Sequence, residues 1–86
     1  MKEIRSGSRN ALIVLHEIYG INEFIEMTCL QYNGKGFDVF CPDLLGRKAF
    51  PYAAASEAYT FFQDYAGPGA VEKISRFVSR LKIKYD

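Results

Sequence analysis

Two short apolar runs, Ala11–Leu15 and Phe37–Cys41, flank a single helix-forming segment, and this spacing constrains the fold more than any other feature. The first run is continuous rather than alternating, which suits a strand covered on both faces, as in a parallel sheet. Asn22 has the chemistry of a helix N-cap. Beyond it Phe24, Ile25, Thr28, Cys29 and Tyr32 recur at the spacing of one helix face. Asn33 and Gly34 supply a stop, with Gly36 close behind. Pro42, lacking an N–H, ends the second strand. Residues 11–41 therefore read strand, helix, strand, the pattern of a right-handed βαβ crossover.

The flanking segments are helical or irregular. Met1–Asn10 is polar and holds at most a short edge strand around Glu3–Arg5, and residues 43–51 read as loop. Tyr52–Tyr65 is rich in alanine and reads as a helix with Tyr59 and Phe62 on one side. Gly67, Pro68 and Gly69 are expected to break it. Ala70, Val71, Ile74, Phe77, Val78 and Leu81 then mark the cleanest amphipathic helix in the chain. Lys82 and Lys84 follow, where the negative end of a helix dipole favours cations, and a further strand is expected from about Tyr85. Two strands rarely stand alone in water, and two further helices need a sheet to cover. The expectation is an α/β chain that is incomplete as a free domain, with residues 1–86 forming one partial domain.

Composition narrows the function classes. Hydrophobic residues make up 49% of the chain, which suits a globular fold. A formal net charge of +1 gives no reason to expect nucleic acid or an anionic membrane as partner. Basic residues cluster at 70–86, where they read as the polar face of one helix. Cys29 and Cys41 form neither a CxxC pair nor part of a zinc-ligand pattern, so no metal or other cofactor is expected. Reduced thiols and the lack of a signal-like run or a span-length apolar stretch suggest a cytoplasmic protein.

The segments HEIYGINEF (His16–Phe24) and GFDVFCPDLLGR (Gly36–Arg47), separated by one helix, resemble the dienelactone hydrolase family of the α/β-hydrolase superfamily. The order and spacing agree over residues 11–47, and Tyr59 in SEAYTFF resembles a tyrosine of the family's next helix. The resemblance implies the N-terminal portion of a parallel α/β-hydrolase sheet, and a small-molecule ester or lactone as the substrate of a full-length relative. It implies that Glu17 is an active-site carboxylate that helps to activate the nucleophile. It also makes the Ile18 N–H one of two oxyanion-hole donors, and Tyr19 and Tyr59 pocket residues. Removing one oxyanion donor typically slows such enzymes by about 10²–10³. A carboxylate used for proton exchange is expected to be shielded from water. No Gly-x-Ser-x-Gly or Gly-x-Cys-x-Gly turn occurs within the 86 residues. The expectation is therefore a chain truncated before the nucleophile turn and inactive alone. One member of the family has an arginine shortly before the tyrosine matched by Tyr59 that holds a substrate carboxylate; the residues nearby here are Ala53, Ala54 and Ala55, which puts dienelactone itself in doubt as a substrate.

Other readings of the same residues differ. Glu17 could instead cap the helix near Asn22, and Tyr19 and Tyr59 could be core aromatics. His16 precedes Glu17, but the family's catalytic histidine lies far downstream. A Cys41–His16–Asp43 triad fails because a strand cysteine before proline is a poor exposed nucleophile. Cys29 reads as core packing. The alternative function is a small non-catalytic α/β module whose open strand edges are completed by self-association.

Overall fold

The computed structural model describes Met1–Tyr85. It has three strands, β1 (Lys2–Ile4), β2 (Ala11–Ile13) and β3 (Asp38–Cys41), and three α-helices, α1 (Glu23–Asn33), α2 (Ala55–Phe61) and α3 (Ala70–Leu81). The strand order is β1-β3-β2. β2 runs parallel to β3, with Leu12 opposite Val39. β1 runs antiparallel to β3, with Glu3 opposite Phe40. The sheet is thus mixed, not wholly parallel. The polar N-terminal segment returns along the far side of β3 as a third strand, one residue earlier than the sequence suggested.

β3 is the centre of the molecule. All four of its residues are buried, because its side chains alternate between two covered faces. On one face Val39 and Cys41 meet Ile25 and Cys29 of α1, with Ile4, Val14, Ile21 and Phe37 packed around them. On the other, the Phe40 ring lies 5.9 Å from that of Phe77 on α3 and 5.8 Å from that of Tyr85. Burying a large apolar side chain of this kind contributes roughly 1.5–3 kcal/mol.

Asp38 shares the Phe40 side of the strand, yet it is only 3% exposed. Its carboxylate is fully partnered. Oδ1 accepts the Ser6 and Ser8 N–H groups at 2.8 and 3.1 Å, and Oδ2 accepts the Tyr85 hydroxyl at 2.7 Å. These bonds, the one from Ser6 foremost, hold the Asp38 carboxyl below the usual range and push the Tyr85 phenol up. Tyr85 therefore anchors the end of the described chain to β3, and the strand expected from about this position lies outside the described residues.

α1 begins as expected, with Asn22 Oδ1 accepting the Ile25 N–H at 3.0 Å. Its buried face is different from the expected one. Ile25 and Cys29 point inward while Phe24 is 58% exposed. The helix presents Ile25 and Cys29, one turn apart, to the sheet, and Ile21 just before it packs against the same cluster. In α3, Ala70 and Phe77 are buried, whereas Val71 is exposed. The Gly67–Gly69 segment does not end the helical path. A 3₁₀ turn (Tyr52–Ala54), α2, a π-helical turn (Phe62–Ala66) and a second 3₁₀ turn (Gly67–Gly69) lead directly into α3. A Cβ on Gly67 would meet the Phe62 carbonyl oxygen at 3.0 Å, so a residue without a side chain is what allows this close winding.

Candidate active site

Parallel strands β2 and β3 end together, and the loops that leave them carry the residues of interest. His16 is the hinge between these loops. It is 6% exposed. Its Nε2 accepts the Leu44 N–H at 2.9 Å, and its Nδ1 lies 2.7 Å from the Glu17 carbonyl oxygen. A carbonyl only accepts and a backbone N–H only donates, so the ring is the neutral tautomer with its proton on Nδ1. The histidine therefore fastens the loop after β2 to the loop after β3, and both ring nitrogens are committed.

Beyond His16 the chain makes a turn in which the Gly20 N–H donates to the Glu17 carbonyl at 3.1 Å. Ile18 and Tyr19 are its central residues. Gly20 takes a positive φ of 92°. A Cβ there would approach Leu45 Cδ1 to 2.7 Å, so glycine is needed for both conformation and space. The Tyr19 carbonyl accepts the Phe50 N–H at 2.8 Å. The Tyr19 ring meets Tyr52 edge-on, with centroids 4.8 Å apart, and the Tyr52 hydroxyl accepts from Asn22 Nδ2 at 3.2 Å. The loop after β3 folds on itself in turn, because Asp43 Oδ1 accepts the Leu45 and Gly46 N–H groups at 3.1 and 3.0 Å.

This geometry sorts the candidates. Glu17, Ile18 and Tyr19 share one turn at the carboxyl edge of the parallel pair. The Glu17 side chain is exposed rather than shielded. It does not cap α1, a task Asn22 performs. Among the described residues its carboxylate has no hydrogen-bond or ion-pair partner, and the Ile18 N–H donates to no other group. Tyr59 stands apart, 59% exposed on α2, and shares no ring contact with Tyr19 among the described residues. Cys41 is fully buried, and desolvation, with the neighbouring Cys29 adding to it, pushes its thiol up to about 12. It is therefore protonated and inert, as a core cysteine should be. Burial raises the Cys29 thiol too.

The family model for the dienelactone hydrolase family matches residues 3–84. The chain belongs to the dienelactone hydrolase family. No curated protein and no solved structure matches it. Membership in the dienelactone hydrolase family indicates a hydrolase-like origin for the chain. Among the described residues, no helix is long and apolar enough to cross a membrane, and no cluster of three potential metal ligands occurs.

One feature of the site region was missed by the sequence reading. Arg47 lies over the Phe50 ring, 3.7 Å from its centroid, and 5.5 Å from that of Phe61. The Arg-x-x-Phe spacing in a loop could have hinted at the first contact. Nothing local could have placed Phe61 beside it.

Proposed function

We propose that the chain supplies one wall of an ester or lactone hydrolase active site. The Glu17 carboxylate assists activation of a nucleophile held on residues other than these 86, and the Ile18 N–H donates to the developing oxyanion. Tyr19 borders the substrate. Tyr59 does so only if the strand bearing the nucleophile reaches toward α2. The observation that carries this reading is a carboxylate and an amide on adjacent residues, neither with a partner among the described residues, at the carboxyl edge of a parallel strand pair. This is where open α/β sheets place their ligands. It is supported by the family match across nearly the whole chain. In this reading the fold is part of a larger α/β-hydrolase sheet.

The test has two arms. The 86-residue chain alone should hydrolyse a simple aryl ester no faster than buffer; saturable turnover abolished by Glu17→Gln would overturn the external nucleophile. In a longer chain that includes a glycine-flanked Ser or Cys, Glu17→Gln should lower kcat by about 10²-fold or more while the fold is kept. An unchanged kcat would remove Glu17 from the chemistry.

A second reading, self-association, is favoured by the outer edges of β1 and β2, which carry no neighbouring strand among the described residues. Exposed Phe24, Met27 and Leu30 on α1 add to it. Sedimentation at increasing concentration separates the two. A persistent monomer would rule out association as the function.

A further inference from the structure

Beside the strand-end turn, and independent of any hydrolytic role, lies an open groove of about 670 Å³ walled by Arg47, Phe50, Pro51, Phe61 and Tyr65. Its rings form a ladder. Phe50 and Phe61 lie 5.6 Å apart, and Phe61 and Tyr65 5.2 Å apart. The Arg47 guanidinium sits over the Phe50 end of this ladder. Its Nε–H donates to the Lys48 carbonyl at 2.8 Å, which restrains the group, and among the described residues its two terminal nitrogens donate to no other group. Glu57 also borders the groove, yet Arg47 is ion-paired to no carboxylate among the described residues.

We infer that Arg47 and its aromatic platform form a binding site for a small aromatic carboxylate. The planar fork of a guanidinium matches a carboxylate through two parallel N–H···O bonds. Here the fork is held in place before any ligand arrives, so little side-chain freedom remains to be lost. The Phe61 ring, itself 5.5 Å from the guanidinium, and the Tyr65 ring, tilted 37° to it, offer aromatic contact surface to a ring attached to that carboxylate. Tyr65 is 74% exposed, so this surface is open. A phosphate or a metal-bound anion would gain nothing from the ladder, and a neutral arene would leave the guanidinium unused. The hydrogen bond from Phe50 N–H to the Tyr19 carbonyl ties the groove to the turn that carries Glu17, so occupancy should be felt there.

The experiment is an amide and arginine-side-chain NMR titration of the full chain with 2-naphthoate, 2-naphthamide and inorganic phosphate. Naphthoate should give saturable shifts at Arg47 Nε–H and the Phe50 amide, extending to Gly20. Naphthamide and phosphate should bind at least about tenfold more weakly, the difference expected for a hydrogen-bonded charge pair. Arg47→Gln should reduce naphthoate binding by a similar factor, and Arg47→Lys, which keeps the charge but not the fork, should recover only part of it. Equal binding of naphthoate and naphthamide, shifts centred on the basic face of α3, or no saturable shift with the wild-type chain would each overturn the site. The wild-type comparison decides the matter even if an Arg47 variant fails to fold.

Discussion

His16 and Leu44 are joined by a 2.9 Å hydrogen bond between an imidazole nitrogen and a backbone N–H twenty-eight residues away. The bond holds the ends of β2 and β3 together under the turn that carries Glu17. Truncating His16 to alanine leaves a buried donor unsatisfied, which costs about 1–3 kcal/mol. His16→Ala should lower the denaturation midpoint accordingly. Nitrogen NMR of the wild-type ring should show a protonated Nδ1 and a bare Nε2; the opposite tautomer would contradict the bridge.

Glu17 gives the complementary prediction. Its side chain is exposed and unpartnered among the described residues, so Glu17→Gln should change the stability of this chain by no more than about 0.5 kcal/mol. A large loss would mean that the carboxylate is a structural element. A small one separates its role from folding.

Asp38 makes stability depend on acid. Its carboxyl is held below its ordinary value by the N–H groups of Ser6 and Ser8 and the hydroxyl of Tyr85. The folded state therefore binds that proton less readily than the unfolded one. The stabilisation is complete above the unfolded value of about 3.9 and is lost as pH falls through the lower folded value. Tm should drop on the acid side of pH 4. Asp38→Asn should flatten that limb while lowering Tm at neutral pH, and Tyr85→Phe should flatten it in part.

Gly20→Ala tests the turn itself. The added methyl meets Leu45 at 2.7 Å and the backbone must keep a positive φ, so a loss of about 1–3 kcal/mol is expected. Leu45→Ala in the same chain should relieve the clash but not the backbone strain, giving partial recovery in a double-mutant cycle.

Cys29 and Cys41 are fully buried and their thiols are raised by burial. At neutral pH both should resist alkylation in the folded chain and react together once denaturant unfolds it. Fast labelling of Cys41 alone under native conditions would contradict the packing of β3.

The strand–helix–strand core was legible because its signals are local. An apolar run, an Asn cap and a proline stop each act within a few residues; the cap and the stop appear where expected, whereas the run forms a strand only over Ala11–Ile13, half-buried at the sheet edge, with Leu15 exposed. Facing was less legible. Phe24 and Val71 fit the apolar periodicity, yet they lie exposed, because the α1 side chains packed on β3 are Ile25 and Cys29, and the α3 ring that meets Phe40 is Phe77. The direction of β1 was not legible at all, since Lys2–Ile4 pairs with residues about forty positions away. The Gly-Pro-Gly stretch reads as a breaker by composition. Gly67 instead admits the Phe62 carbonyl, a tertiary fit no propensity reports. At the site, Glu17 and Ile18 were marked by a motif, and Tyr59 was marked by the same resemblance but lies apart from them. The burial of His16 and the stacking of Arg47 depend on Leu44 and Phe61, partners that only the folded chain brings near.

No two strands of this sheet are joined as a hairpin: β1 skips β2 to pair with β3, and β2 reaches β3 only across α1. β1 and β2 both wait for β3, across intervals running from Lys2 to Cys41 and from Ala11 to Asp38. On a ribosome neither ladder can form until β3 has emerged, whereas α1 needs only its own residues. Such distant pairings slow the search for the native state. Val39 and Phe40, which face both partners at once, are therefore the positions where a slow step in synthesis or a poorly chosen substitution would delay the whole sheet, not one edge of it.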